Sequence, residues 1–291
     1  MGFLYYNKRK KKLQEASTRL RALGESAIMF LIPKPEVKKT ESRFFALYDA
    51  LLAEAQALCD EVRIEETLHD ECWAGAAAGE RMGLGMFTPG QGREALFPAG
   101  LCGLPAVQAA EAVKSWNLEE ASFGLAALNL LFNTPARAKS LSSSAIAHYA
   151  EGIDFRGKKV GVVGHMKGVL RYAREAEWVR ILERRSLPGD YPDSAAEWIL
   201  PECDVVILSG STLINKTLPR LLALSRNAFT VLTGPSVPLC PALFDFGVDR
   251  LAGLAVTDAP GLRRAIRQGS SGSPWEFGVG GIWEKGSQLD R

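Results

Sequence analysis

Histidine is scarce in this chain and cysteine never comes in close pairs. There are 3 histidines and 5 cysteines, and no CxxC or Cys/His cluster among them. That spacing excludes a zinc-finger framework and offers no disulfide scaffold. The expectation for Cys59, Cys72, Cys102, Cys203 and Cys240 is reduced thiols in a cytoplasmic protein. No apolar run approaches the roughly 20 residues needed to span a bilayer, so no membrane is expected. The basic run Lys8–Lys12 lacks the apolar segment that a signal peptide would place after it. A GxGxxG fingerprint, a Walker loop, a nucleophile elbow and a Ser/His/Asp order are also missing.

Charge is unevenly spread. Of 35 Lys/Arg and 33 Asp/Glu, residues 1–43 hold 11 and 4, which leaves 24 and 29 for the remainder. The body is therefore mildly acidic. A body that tracked phosphate backbones would carry a basic face, so nucleic acid is not an expected partner. Residues 1–42 read as a basic extension that passes through Pro33 and Pro35. At 291 residues and 47% hydrophobic content, the chain can bury a core without disulfides or a structural metal.

Two kinds of pattern follow. From Ser42 to about Asp60, apolar residues recur every three and four positions, as in an amphipathic helix. Val62–Leu68, Cys72–Ala78 and Met82–Phe87 read as a small antiparallel sheet. A Gly/Pro loop spans Thr88–Gly103, and helices are expected over Pro105–Lys114, from Asn117 to before Pro135, and over Ser142–Ala150. Gly124 and Asn129 sit inside the second of these helices. A mid-helix glycine costs about 1 kcal/mol against alanine, which points to close approach by a backbone or a ligand.

Beyond residue 152 the pattern alternates. Strands are expected at Lys159–Val163, Glu177–Leu182, Asp204–Leu208, Phe229–Leu232 and Arg250–Val256. Helices are expected at Ser194–Leu200, Leu218–Leu224, Pro241–Phe246 and Ala259–Arg267. This spacing predicts an α/β fold with a doubly wound parallel sheet. The domain reading is a basic extension (1–42), a small α+β domain (43–152), a Rossmann-like domain (153–269) and a flexible Gly/Ser-rich tail (270–291).

Ligands of such sheets bind beyond the carboxyl ends of the strands. Four loops lie there: Gly164–Gly168, Glu183–Asp193, Ser209–Thr217 and Thr233–Pro238. Three are rich in Gly, Ser and Thr, which let backbone N–H groups approach anionic or carbonyl oxygens. Glu183 lies 19 residues after Gly164, where a ribose-binding carboxylate would sit, so a nucleotide-like ligand fits as well as an ion pair with Arg184 or Arg185. His165 is the one histidine at a loop mouth and the candidate acid/base or metal ligand. Asp190, Tyr191 and Asp193 form a compact acidic loop that suits either a hard cation or a turn.

Taken in order, VGVVGHM, the ER…PGDYPD segment, DVVILSGSTLINKTL and TGPSVPLCPALFDFGVDRLAG resemble one family. It is the heavy-metal-chelation family, a domain of unknown function, in its C-terminal Rossmann-like domain. Trp116–Asn129, WNLEEASFGLAALN, is similar to that family's N-terminal domain, which has an enolase N-terminal-like fold. The resemblance implies two domains, an interdomain cleft and a role in binding a heavy or transition metal ion, with an organic ligand. The matching positions are Gly164, His165, Glu183, Asp190, Tyr191 and Asp193, with Gly210, Thr212, Asn215, Thr217, Gly234, Pro235 and Ser236. Gly124 and Asn129 would line the cleft from the other domain. His165, Glu183, Asp190 and Asp193 are the candidate metal ligands.

The chain departs from the family at Met166-Lys167, in place of an aromatic-proline pair, and at Lys216, where a small residue is common. Both lysines favour an anion. Soft metals prefer thiolate and imidazole, which this loop set hardly offers. A small anionic or metal-complexed ligand is therefore expected, with a metal held through an organic chelator or Asp/Glu oxygens. The alternative is an enzyme that uses a nucleotide or adenosyl cofactor, with Glu183 on the ribose and His165 as acid/base. Expected partners are this small-molecule or metal ligand and further copies of the chain in a homo-oligomer.

Overall fold

The computed structural model describes residues 45–90, 92–141, 149–166, 168–269 and 272–287. The basic extension, His148 and most of the helix expected over Ser142–Ala150, Lys167 and both ends of the tail lie outside the described residues. The described residues all belong to one compact unit.

Helix α1 (Ala46–Ala57) buries Leu47, Tyr48, Leu51, Leu52 and Ala55, the stripe that a 3.6-residue period produces. Three short strands follow: β1 (Glu66–His69), β2 (Trp73–Ala78) and β3 (Arg81–Met86). They pair antiparallel in the order β1-β2-β3. Helix α2 (Ala106–Ala110) continues as a 3-10 turn over Glu111–Lys114. Helix α3 (Leu118–Phe132) starts at Asn117, whose side-chain oxygen accepts the Glu120 N–H at 3.2 Å. Such a cap satisfies one of the orphan donors of the first turn. The buried Glu120 carboxylate accepts the N–H groups of Leu96 and Phe97, each at 2.7 Å, and so pins the Gly/Pro loop.

The small residues explain how α3 packs. A Cβ at Gly83 or Gly85 of β3 would overlap the α3 backbone, and one at Gly124 would overlap the backbone of Ala112 and Val113. The helix thus lies against its neighbours backbone to backbone. Close approach by backbone, one of the two readings of Gly124, is what the structure contains.

The second sheet has seven strands. They are β4 (Lys159–Val163), β5 (Trp178–Glu183), β6 (Tyr191–Pro192), β7 (Val205–Ser209), β8 (Phe229–Thr233), β9 (Arg250–Val256) and β10 (Gly278–Glu284). Their order is β10-β9-β8-β7-β4-β5-β6. All neighbours run parallel except β10, which is antiparallel to β9. Central strands such as β7 and β9 are almost wholly buried, which is why they read as continuous apolar runs. Connecting helices include α5 (Val169–Tyr172), α7 (Leu218–Leu224), α8 (Ala242–Asp245) and α9 (Ala259–Arg267).

Several segments differ from the sequence reading, among them a two-residue strand, β6, inside the expected loop Glu183–Asp193. Pro135 opens a further helix, α4 (Pro135–Leu141), because proline is well suited to a first helical turn. Ser194–Leu200 is broken into a 3-10 turn, the four-residue α6 (Ala196–Ile199) and a second 3-10 turn. The expected flexible tail instead contains β10, held to β9 along its whole length with Gly281 opposite Gly253 and Trp283 opposite Leu251.

The two sheets share one core. Residues of α1, α3, β7 and β9 belong to a single buried apolar cluster. Polar contacts of Tyr48 and Asn133 are among those that tie the halves together. The Tyr48 hydroxyl donates to the Leu213 carbonyl at 2.9 Å. Buried Asn133 donates to the carbonyls of Val237 (2.8 Å) and Leu254 (3.0 Å) and accepts the Leu239 N–H at 2.8 Å.

Candidate ligand-binding cavity

The chain runs from β4 outward to β5 and β6, then returns to place β7 on the other side of β4. Loops after β4 and β7 must diverge there, and the crevice left at such a switch point is where doubly wound sheets bind ligands. A cavity of about 770 Å³ opens at this place. Its wall takes Val163, Gly164, His165 and Met166 from the β4 end, Leu182, Glu183 and Arg184 from the β5 end, and Asp193 from just after β6. The β7 end gives Ser209, Ser211, Thr212, Asn215 and Thr217, and the β8 end Thr233, Gly234 and Pro235. Trp73 and Met86 come from the small sheet, Tyr149 from the connection between the two sheets, and Trp275 from the segment before β10.

The β4 loop begins at Gly164, with φ of +100°. A side chain there would be strained and would meet the Ser209 Cβ at 3.0 Å, so glycine lets the β4 and β7 loops touch. The next amide, His165 N–H, donates to Glu183 Oε2 at 2.9 Å. Glu183 Oε1 accepts the N–H groups of Arg184 (2.7 Å) and Arg185 (3.2 Å). Glu183 thus braces two loops.

His165 Nε2 lies 3.7 Å from Asp190 Oδ1. The Asp190 side chain is only 5% exposed, and its other oxygen accepts the Leu187 N–H at 2.8 Å. Arg184 Nε donates to Asp193 Oδ2 at 3.0 Å. The acidic groups of this rim are each already engaged.

The β7 loop spends its acceptors on itself. Ser209 Oγ accepts the Ser211 N–H and lies 2.9 Å from Ser211 Oγ. The Thr212 hydroxyl donates to the Ser209 carbonyl at 2.6 Å. Asn215 Oδ1 accepts both the Thr217 N–H (3.1 Å) and the Thr217 hydroxyl (2.6 Å). Between these two cavity residues, Lys216 turns away into the interior with φ of +65°. Its ammonium donates to the Ile214 carbonyl at 2.6 Å and lies 6.0 Å from the rings of Tyr48 and Trp116. Burial pulls its pKa down to about 8.

Of the sequence candidates, Gly164, His165, Glu183, Asp193, Thr212, Asn215, Thr217, Gly234 and Pro235 meet on this wall. Asp190 stands behind His165. Tyr191 lies on the edge strand β6, 42% exposed. Gly210 is pressed against the backbone of Ser236 and Val237. Ser236 is buried, and its Oγ accepts the Met86 N–H at 2.7 Å, joining the two sheets at the cavity edge. Gly124 and Asn129 do not line the wall. Gly124 packs on Ala112–Val113, and the Asn129 amide is buried, donating to the Leu84 carbonyl at 2.6 Å. Trp73 and Met86 are the small sheet's contribution instead. No local sequence signal marks those two, because their place depends on how one sheet docks on the other.

The donors do not suit a soft metal. Among the described residues, no group of three His, Cys, Asp or Glu is placed to hold a metal ion. Cys59, Cys72 and Cys102 are exposed, and none of the five cysteines lines the cavity. Burial pushes the thiols of Cys203 and Cys240 up to about 12, the opposite of what a thiolate ligand needs. His165, Glu183, Asp190 and Asp193 lie near one another, but their oxygens are committed to Leu187, Arg184, Arg185 and His165 itself. Among the described residues, no helix is long and apolar enough to cross a membrane.

Comparison with known proteins agrees with this architecture. Residues 153–280 match the model of a family described as "Putative heavy-metal chelation", DUF364, and residues 48–132 match a second model, DUF4213, with the same description. A crystal structure of a DUF364 protein of unknown function from Desulfitobacterium hafniense is 35% identical, covering 85% of this chain and 100% of that one, with a TM-score of 0.74. The chain belongs to the heavy-metal-chelation family. A second family structure, from Pyrococcus horikoshii, shares the fold at 22% identity and a TM-score of 0.65, covering 82% of this chain and 100% of that one. An uncharacterized protein of Methanocaldococcus jannaschii is 30% identical over 155 residues. That match covers 50% of this chain and 58% of the relative, so the chain spans less than two thirds of its length.

Proposed function

We propose that this member of the heavy-metal-chelation family binds a small anionic or metal-complexed ligand in the cavity between its two sheets. The observation that carries this reading is the cavity itself, at the switch point and walled by both sheets. The metal enters bound to an organic chelator. The donor set argues for this route, since the carboxylates of the rim are tied to backbone N–H groups and Arg184, and the cysteines lie elsewhere.

The second reading is an enzyme with a nucleotide or adenosyl cofactor. The position of Glu183 at the end of β5, on the cavity wall, favours it. Its carboxylate, however, already accepts three backbone N–H groups, which leaves it poorly placed to hold a ribose diol.

Thermal-shift screening of organic anions, with and without Cd²⁺, on wild type and Thr217→Val tests the site. A ligand that binds the native state raises the unfolding midpoint. Shifts seen on wild type are expected to shrink on Thr217→Val. Hits that shift both proteins equally would place the site elsewhere.

A further inference from the structure

The hydrogen bonds of the cavity wall separate donors from acceptors, and the separation names a ligand class. Asn215 decides it. The Thr217 N–H can only donate, so the Asn215 side-chain atom that meets it must be the carbonyl oxygen. That fixes the amide orientation by chemistry, and the Asn215 NH₂ is left to donate from the cavity wall. No hydrogen bond occupies it among the described residues.

The same sorting holds around the rim. Of the Ser209–Ser211 hydroxyl pair, only one proton lies between the two oxygens, so the other is free to donate. Among the described residues, no hydrogen bond occupies the terminal guanidinium nitrogens of Arg184, while its Nε holds Asp193. Two of the acceptors are occupied: Glu183 by three N–H groups, Asn215 Oδ1 by two donors from Thr217. A polar ligand group placed beside Asn215 meets an amide donor, which favours an acceptor there.

Two large aromatic rings, Trp73 and Trp275, also line the cavity. Rings of this size favour a flat apolar body, stacked or edge-on. A cavity of about 770 Å³ holds a fused-ring body with a short polar substituent.

We propose that the ligand is an aryl carboxylate, its carboxylate held by the Asn215 NH₂ and the Arg184 guanidinium and its ring against the cavity tryptophans Trp73 and Trp275. This rests on the cavity reading above. It also fits that reading's metal route, since an aryl carboxylate with a ring nitrogen beside the carboxylate chelates metals in water.

Tryptophan fluorescence of the full chain tests it, because two of the wall residues are the reporters. The probes are 2-naphthoate and 2-naphthylmethylamine, which share the ring and differ in polar group. Wild type is expected to bind the carboxylate at least about tenfold more tightly than the ammonium, the size of one charge-assisted hydrogen bond. Asn215→Asp, which replaces the NH₂ donor by an anion of the same shape, is expected to lose that preference. Arg184→Gln, on the exposed rim, is expected to weaken 2-naphthoate alone and serves if Asn215→Asp unfolds. Equal binding of both probes to wild type overturns the carboxylate assignment and leaves the cavity reading standing. Binding of neither probe overturns both.

Discussion

The Ser236 hydroxyl accepts the Met86 amide at 2.7 Å across 150 positions of sequence, so an edge strand of the small sheet is tied to the loop after β8. Met86 lines the cavity and Ser236 does not. Ser236 therefore acts on the site through Met86, as a positioning residue. The loop glycine Gly234 and Pro235 beside it form the wall itself.

Ser236→Ala leaves the Met86 N–H without its partner at a part-buried contact, since Ser236 is buried and Met86 is exposed. Loss of such a hydrogen bond costs about 1 kcal/mol. The expected outcome is a lower denaturation midpoint with unchanged slope in urea. Unaltered stability would mean that the sheets do not depend on this contact.

Asn133 should matter more. It serves two carbonyls and one N–H of the larger sheet from the end of α3. Asn133→Leu removes all three bonds together, and breaking such a network is expected to cost about 3 kcal/mol or more. Asn133→Asp keeps the acceptor but sets an unpaired buried carboxylate against the two carbonyl oxygens, so at neutral pH it should be the least stable of the three. Denaturant titration of the three proteins orders them, and equal midpoints would sink the claim.

Lys216 supplies a pH signature. Its pKa is about 8 in the folded chain, below the ordinary lysine value of 10.5, because burial disfavours the ammonium. Between pH 8 and 10.5 the unfolded chain therefore holds the extra proton, and stability contributed by this residue rises with pH across that window. The rise is on the order of 3 kcal/mol. Lys216→Met, which keeps the stem and removes the charge, should lack it. The difference between the two proteins isolates Lys216 from Cys203 and Cys240, whose raised thiol values act in the opposite direction. A pH-independent difference would contradict the assignment.

Much of the larger sheet was legible in the sequence. β9 and helices α7 and α9 fall on the expected residues, because buried parallel strands and amphipathic helices write strong local patterns. The loops after β4, β7 and β8 follow directly from those strands. β10 was not legible. Its glycines read as linker composition, and only pairing with β9, with Gly281 against Gly253, makes it a strand. Gly124 was legible as a place of close approach, but not what approaches it, since Ala112 and Val113 come from another helix. Trp73, Met86 and Trp275 reach the cavity through the docking of separate elements, which no local pattern encodes.

The central claim is that the cavity takes an organic ligand and that metal reaches it only as that ligand's complex. Anomalous diffraction from crystals of the full chain tests this most directly, after soaks in Cd²⁺ alone and in Cd²⁺ with picolinate. The account expects no cadmium in the cavity from the first soak, whatever binds at exposed Cys59, Cys72 or Cys102, and a cadmium–picolinate complex beside Asn215 from the second. Cadmium bound from the first soak by two or more of His165, Glu183, Asp190 and Asp193 would contradict it.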